Sequence, residues 1–398
     1  MIFVKMKKGL SVLLAILMLT GVCSVGAGAR TAAEADTHLQ FKADGTFRIM
    51  QIADIQDDTT LNKLTKKMLR AGIEQYKPDL LVLTGDNIGG YSCKSKASAK
   101  KAIEQYMDIF KEYDIPVAMV FGNHDDQDTK ADKAYQMEVY ESYSNFIGCR
   151  GEESLSWYGT YNIPIYSSTD RNDVVFNVWM FDSGNYNDEN DLGGYGCPHK
   201  DQIDWYTRTS RELQAKNGGE PVPSIAFQHI IVPEIWDALK EVPKGTDKAI
   251  EHGGKYYVLP DGAKGELDEA PCPPEYSNGQ FAAMQARGDV LAMFFGHDHV
   301  NTFSLDYQGV TLATSPGCTF ASYGNDNRGF RFIDLNENDP WNYTDDLVDY
   351  KTLLPSEEDT LQFNITAREV NFGTRVASFF KVIFDFFGSV FGMLPKAN

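Results

Sequence analysis

FRIMQIADIQDDTTLNKLTKKMLRAGIEQYKPDLLVLTGDN, residues 47–87, decides how the chain is built. It opens on a greasy run, FRIMQIAD (47–54), that ends in an acid and reads as a buried strand. Apolar residues then recur at helical spacing through TLNKLTKKMLRAGIEQY (60–76), and Pro78 stops that helix. A second greasy run, DLLVLTGDN (79–87), reads as another strand and again ends in an acid, Asp86, between Gly85 and Asn87. Strand, helix, strand in so short a span predicts a parallel βαβ unit. Parallel sheets built this way carry their ligand sites just beyond the C-terminal ends of the strands.

The pattern continues outward. Residues 96–113 read as a helix, and IPVAMVFGNHDD (115–126) as a third strand ending in Gly122-Asn123-His124-Asp125. A helix is expected over 131–146. Then come a strand, DVVFNVWMFDSG (173–184), a helix, DQIDWYTRTSRELQAK (201–216), and a strand, SIAFQHI (224–230), that delivers His229. Residues 240–278, rich in Pro, Gly and charge, read as an irregular insertion. QFAAMQARGD (280–289) is helical and runs into a strand, DVLAMFFGHDH (289–299), that ends at His297 and His299. A hairpin over 302–315, turning near Gln308-Gly309, and a strand over 328–337 close the pattern. There is no internal repeat.

Composition bounds the function. With 398 residues, 42% of them hydrophobic and 12% aromatic, the chain is globular and long enough for one large α/β domain or two smaller ones. The formal charge of −19, with no run of Lys and Arg to reverse it, argues against nucleic acid as a partner. Lys5, Lys7 and Lys8, the apolar run LSVLLAILMLTGV and the small residues ending in Ala27-Gly28-Ala29 read as a secretory signal peptide over residues 1–29. Cleavage after Ala29 takes three lysines and no acid with it, so the charge falls from −19 to −22. Cys23 is a poor lipidation site, since Val22 stands before it where a small residue is wanted. Five cysteines remain (Cys93, Cys149, Cys197, Cys272 and Cys318), in spacings that match no zinc knuckle or redox pair. Five is odd, so at least one stays free or pairs between chains.

Strand after strand therefore ends in a residue that can ligate a metal or move a proton: Asp54, Asp86, Asn123 with His124, His229, and His297 with His299. Each alone has a plain reading. Asp54 and Asp86 could cap the helices that follow them. Asn123 could be a turn residue, His229 a core histidine, and the 297/299 pair a solvated turn. In an extended segment, however, residues 297 and 299 point the same way. Carboxylate and amide oxygens with imidazole nitrogens suit Mn, Fe or Zn better than Ca or Mg. An aspartate shared by two ions holds them about 3.5–4 Å apart, the spacing used in displacements at phosphorus.

Taken in order, Asp54-Ile55-Gln56, Gly85-Asp86-Asn87, Gly122-Asn123-His124-Asp125, His229 and Gly296-His297-Asp298-His299 resemble the motifs of the calcineurin-like metallophosphoesterases, over roughly residues 45–337. Tyr323-Gly324 and the stretch Arg328 to Arg331 point to the secreted branch related to purple acid phosphatases. The resemblance implies a four-layer α-β-β-α sandwich, two mixed sheets flanked by helices. It also implies one ion held by Asp54, Asp86 and His299, and a second held by Asp86, Asn123, His229 and His297, with Asp86 as the bridge. His124, oriented by Asp125, would stabilise charge on the phosphoryl group or protonate the leaving oxygen.

The sequence departs from the pattern at Gln56, where histidine is usual, and at Gly89, where purple acid phosphatases place a tyrosine. Gln56 could ligate through its amide oxygen, stand just outside the ligands, or mark a degraded site. The function expected is a secreted phosphoesterase with two transition ions (Mn, Fe or Zn) that hydrolyses a small-molecule phosphomonoester or phosphodiester. The attack would come from a hydroxide bridging the ions. The rival is a non-catalytic phospholigand-binding or scaffold protein with a weakened first metal site. A nuclease of the same fold is disfavoured by the charge.

Other residues carry less. Asp57 and Asp58 read as a solvated turn or cap. Trp157, Tyr158 and Tyr161 either line a cleft or pack, and His199 and His252 read as surface residues. Residues 338–362 read as an acidic linker, and 363–398 as an apolar, helical tail. Within that tail VASFFKVIFDFFGSVFGML (376–394) carries Lys381 and Asp385 four apart, and these charges disfavour a simple span. Peripheral contact with a membrane is the favoured reading over docking on the catalytic domain.

Overall fold

A computed structural model describes residues 38–186 and 194–357; the segments expected to be a signal peptide (1–29) and an apolar tail (363–398) lie outside the described residues. The smaller of its two main sheets has five strands, in the order Tyr343–Asp349, Gly329–Asn336, Thr46–Ile52, Leu80–Thr84, Val117–Val120. The last three are parallel neighbours, joined by the helices Lys63–Tyr76 and Lys96–Glu112, as the opening stretch predicts. Gly329–Asn336 lies antiparallel to Thr46–Ile52 on the other side.

The larger sheet has seven strands: Leu39–Gln40, Tyr161–Tyr166, Val174–Phe181, Ser224–Gln228, Val290–Phe295, Val310–Thr314 and Ser304–Tyr307. Its centre is parallel, and antiparallel pairs lie towards both edges. Both sheets are therefore mixed.

Alternation along the strands explains the layering. Phe47 and Ile49 point between the sheets and pack with Val82, Val120, Val178, Phe227 and Phe294. Met50 and Ile52 point outward, beneath the helices that contribute Met68, Ile103, Tyr106 and Tyr140. Across the molecule, Trp179 and Phe295 face Trp205, Tyr206 and Met284, which come from the helices Lys200–Lys216 and Gln280–Arg287. The result is the four-layer α-β-β-α sandwich. Gln51 joins the two sheets near their upper ends, its amide donating to the Phe295 carbonyl at 3.0 Å and to Thr84 Oγ1 at 3.2 Å.

Helix ends follow local chemistry. The first helix starts later than its apolar spacing suggests because Asn62 caps it, accepting from the Leu64 amide. It stops at Lys77, which turns left-handed at φ 48° just before Pro78. A Ser95/Ser98 capping box starts the second helix. The expected helix 131–146 is shorter, Lys133–Glu141, capped by Asp132.

Two expectations need correction. The insertion over 240–278 is not wholly irregular, since Lys240–Val242, Ile250–His252 and Lys255–Val258 form a small antiparallel sheet. The acidic stretch after 337 does not begin as a linker: Tyr343–Asp349 pairs with the strand Gly329–Asn336 from Gly329 to Leu335, and a short helix, Tyr350–Leu353, follows. Its acids misled because the side chain of one of them is largely covered rather than solvated. Asp345 pairs with Arg331, whose guanidinium is 3% exposed and also donates to the carbonyls of Thr302 and Thr314, at 3.0 and 2.7 Å. Cys93 and Cys318 are buried thiols and Cys272 is an exposed one, none of them in a disulfide.

Candidate metal centre

The strands stop two residues before the polar groups arrive. Thr46–Ile52 ends ahead of Asp54, Leu80–Thr84 ahead of Asp86, and Val290–Phe295 ahead of His297. Asp54, Gln56, Asp86 and His297 all take positive φ, at 53°, 39°, 47° and 74°. Side chains there do not alternate as in a strand, so the same-side argument for residues 297 and 299 does not describe the geometry. Loops in a conformation that costs non-glycine residues energy aim these groups instead. The loops are tied together, with the Asp54 amide donating to the Gly85 carbonyl and the Gln56 amide to the Asp86 carbonyl.

Glycine before the acid or amide has a steric cause. A Cβ on Gly122 would lie 2.2 Å from Asp86 Oδ1, and one on Gly85, at φ 86°, would lie 2.5 Å from the His229 ring. The motif glycines make room for side chains of other motifs.

Two buried trios result. Ligand atoms of Asp86, His229 and His297 lie within 4.8 Å of one another, as do those of Asp54, Asp86 and His299. Asp86 belongs to both. Its Oδ1 is 3.3 Å from His229 Nε2 and accepts from the His124 amide at 2.7 Å. Asn123 Oδ1 stands 3.1 Å from His229 Nε2. Asp54 Oδ1 is 3.5 Å from His299 Nε2, and Asp54 Oδ2 accepts from the His297 amide.

The imidazoles are held for donation. His229 Nδ1 bonds the Thr84 carbonyl at 2.9 Å and His299 Nδ1 bonds the Tyr323 carbonyl at 3.0 Å. A carbonyl can only accept, so Nδ1 carries a proton and Nε2 is the nitrogen turned to the trio, where a lone pair is available once Nε2 is unprotonated. Burial drives the His297 ring well below its ordinary pKa, and that of His299 down to about 4, keeping both neutral. Burial would do the same to His229, but the Asp86 and Asp54 carboxylates outweigh it and raise the ring to about 9. Asp54 is pushed well up, by burial first and then by the charge of Asp86. Burial also acts to raise Asp86, yet His229, His124 and His297 hold it well below the usual carboxylate range.

Such a cluster fits metal ions. Asp54 Oδ1 and His297 Nε2 are buried with no hydrogen-bond partner, and two acids 1% and 0% exposed share one pocket. Buried charge and unpaired polar atoms are costly unless something satisfies them, and divalent ions among oxygen and imidazole donors would.

Gln56 is 6% exposed, and its amide nitrogen, not its oxygen, lies beside the shared carboxylate, 3.4 Å from Asp86 Oδ2; the oxygen is buried without a partner. His124 stands beside the trios without belonging to either. Its Nε2 is 3.9 Å from Asp86 Oδ2 and its side chain is 29% exposed, so it stands at the mouth of the site. Asp125 does not orient it. The Asp125 carboxylate is fully buried and occupied by the amides of Gly122, Asn87 and Ile88, so it fixes the GDN and GNH loops against each other. Gln127 Oε1 contacts His124 Nδ1 instead.

Of the other residues, Asp57 is a turn-and-cap carboxylate that accepts from the amides of Asp58 and Asn62. Trp157, Tyr158 and Tyr161 pack. Tyr161 is 1% exposed and bonds the Met119 backbone, Tyr158 lies under Arg150, and Trp157 lies under Lys133. His199 starts the Lys200–Lys216 helix, and exposed His252 stacks on Trp236.

Two neighbours escaped the sequence reading. Tyr323 stacks flat on His299, with ring centroids 4.1 Å apart, and its hydroxyl bonds Glu269. Glu269 in turn accepts from the amide of Val300, next to His299. Only the Tyr323-Gly324 signature marked that tyrosine, and nothing marked Glu269.

Comparison with known proteins follows the same lines. The family model described as calcineurin-like phosphoesterase matches residues 47–301. The chain is 26% identical over 314 residues to a protein of Arabidopsis thaliana named "Probable inactive purple acid phosphatase 29", covering 72% of this chain and 75% of that one. It is 27% identical over 320 residues to "Probable inactive purple acid phosphatase 28" of the same plant, covering 73% and 74%. Among solved structures it is similar to a dimetal phosphatase from Danio rerio, at 14% identity and a TM-score of 0.45, over 73% of this chain and 93% of that chain.

Proposed function

We propose, from the premise that this chain belongs to the calcineurin-like phosphoesterase family, that it is an exported two-metal hydrolase of small-molecule phosphoesters. The observation that carries the reading is the pair of buried trios sharing Asp86. Asp54, Asp86 and His299 would hold one ion, and Asp86, Asn123, His229 and His297 the other. Bound ions of this kind activate water and neutralise charge on a phosphoryl group.

The chain's own residues do the rest. Asp86 supplies the shared charge. The carbonyls of Thr84 and Tyr323 keep His229 and His299 in the donating tautomer. His124, partly exposed at the mouth and steadied by Gln127, is placed to meet the phosphoryl oxygens or to give a proton to the leaving oxygen. Export rests on the leader-like residues 1–29.

A second reading has its own support: a phospholigand-binding protein that keeps the fold without turnover. Gln56 stands where the family usually places a histidine, and the two plant relatives above carry "inactive" in their names. Metal analysis joined to a phosphoester panel with Mn, Fe, Zn, Co and Mg separates the readings. About two ions per chain with turnover of any panel member supports the hydrolase. Stoichiometric metal and phosphate binding without turnover supports the binder.

A further inference from the structure

Beside the metal centre lies a cleft of about 440 Å³, lined among others by Gln56, Asp57, Asp58, Tyr91, Ser92 and Tyr323. Three of its walls belong to the site just described. Gln56 leans on Asp86, Tyr323 stacks on His299, and the ring of Tyr91 stands edge-on to His124 at 5.3 Å. The cleft therefore opens on the His124 side, where a leaving group would depart.

Its lining is unusual in two ways. Tyr91 and Tyr323, 38% and 40% exposed, are two of the four large exposed apolar side chains among the described residues, and both face this one space. The only charged residues lining it are the acids Asp57 and Asp58, with no Lys or Arg among them. A phosphate site bordered by acids repels an anionic leaving group. Exposed aromatic rings beside a carboxylate are, by contrast, the surroundings that bind an organic cation. Asp57 spends its oxygens on backbone amides, whereas Asp58 is exposed and gives one oxygen to Thr60.

We propose that this cleft binds the alcohol portion of the substrate, and that the alcohol carries an ammonium group, held by the Asp58 carboxylate against the faces of Tyr91 and Tyr323. The inference rests on the phosphoesterase reading for its catalytic consequence, but not for the binding itself.

The test uses the full metal-loaded chain. Choline phosphate, ethyl phosphate and phosphoglycolate offer a cationic, a neutral and an anionic alcohol portion at similar size. The expected order of kcat/KM is choline phosphate above ethyl phosphate by about tenfold, with phosphoglycolate lowest. Asp58→Asn and, separately, Tyr91→Leu should each pull the choline-to-ethyl ratio towards one. Turnover with no preference, or a preference for the anion, overturns the proposal and leaves the phosphoesterase reading standing. Should none of the three esters turn over, nor any of the wider panel, that reading falls, and calorimetric titration with choline chloride decides about the cleft alone. Binding that is lost in Asp58→Asn supports it, and no binding overturns it.

Discussion

Asp86 carries more of the site than any other side chain. It is fully buried, it belongs to both trios, and one of its oxygens accepts from the backbone amide of His124. Asp86→Asn removes the one negative charge common to both sites, so the variant should lose both ions while keeping its fold. Elemental analysis would check this, and stoichiometric metal in the variant would remove the bridging role. His124→Ala should behave in the opposite way, keeping its metal and losing about 10² to 10⁴ in turnover, since His124 stands at the mouth rather than in either trio. Unchanged turnover would exclude His124 from the chemistry. Gln56→His offers imidazole beside Asp86 Oδ2, where an amide nitrogen now sits. The first site should tighten and shift towards Zn or Fe. Reloading stripped wild type and variant, and comparing the weaker site's affinity and metal preference, tests this; no change in either would place residue 56 away from the ion. At this scale the residues brought together were legible because each follows a greasy run and is flanked by glycine or another polar group. Gln127, Glu269 and the hold of Tyr323 on His299 were not. The Glu269 and Tyr323 contacts depend on how loops far apart in sequence approach, and the Gln127 contact on the turn of its own loop, in which Asp125, adjacent to His124, faces inward instead.

Among the elements, the three parallel strands of the smaller sheet and their two helices were readable from periodicity and from Pro78. What periodicity could not give is the conformation just past each strand. Four candidate residues sit there at positive φ, which no pattern of apolar residues records. It also hid the strand Tyr343–Asp349, whose acids look solvated until Arg331 is found beneath Asp345. The strand-end loops are packed tightly enough to make a prediction about the motif glycines. Gly122→Ala would set a Cβ 2.2 Å from Asp86 Oδ1 and 2.3 Å from its amide nitrogen, and backbone cannot swing aside as a long side chain can. The expected outcome is a loss of about 1–3 kcal/mol of stability together with weakened metal binding at both trios. Thermal unfolding with and without added metal measures both effects. A variant with wild-type stability and metal content would mean that the loops are looser than this packing implies.

Across the whole molecule, the buried charges tie stability to pH and to metal together. In the metal-free chain, burial and the Glu269 charge push Asp298 up to about 8, and the neighbouring carboxylates raise His229 to about 9. Unfolded, an aspartate releases its proton near 3.8 and a histidine near 6.5. Between pH 6.5 and 9 the native state therefore binds more protons than the unfolded state, and stability must fall as pH rises. His299, lowered to about 4, and His297, lowered by burial, act the other way only below pH 6.5, where the unfolded chain binds protons that the fold refuses. The depression of Asp86 matters only in acid. Of these two groups only His229 lies in a trio, where its proton balances the Asp86 and Asp54 carboxylates; Asp298 lies in neither trio and owes its shift to burial and Glu269. Metal ions would take over the role of the His229 proton, so metal should raise the melting temperature by more at pH 8.5 than at pH 6.5. The overall negative charge also grows with pH and weakens the fold, but it does so in loaded and stripped protein alike. The difference between the two melting temperatures, taken by calorimetry at both pH values, isolates the site. An increment independent of pH would show that the ions do not replace this proton, and that Asp54, Asp86 and the histidines around them are balanced some other way.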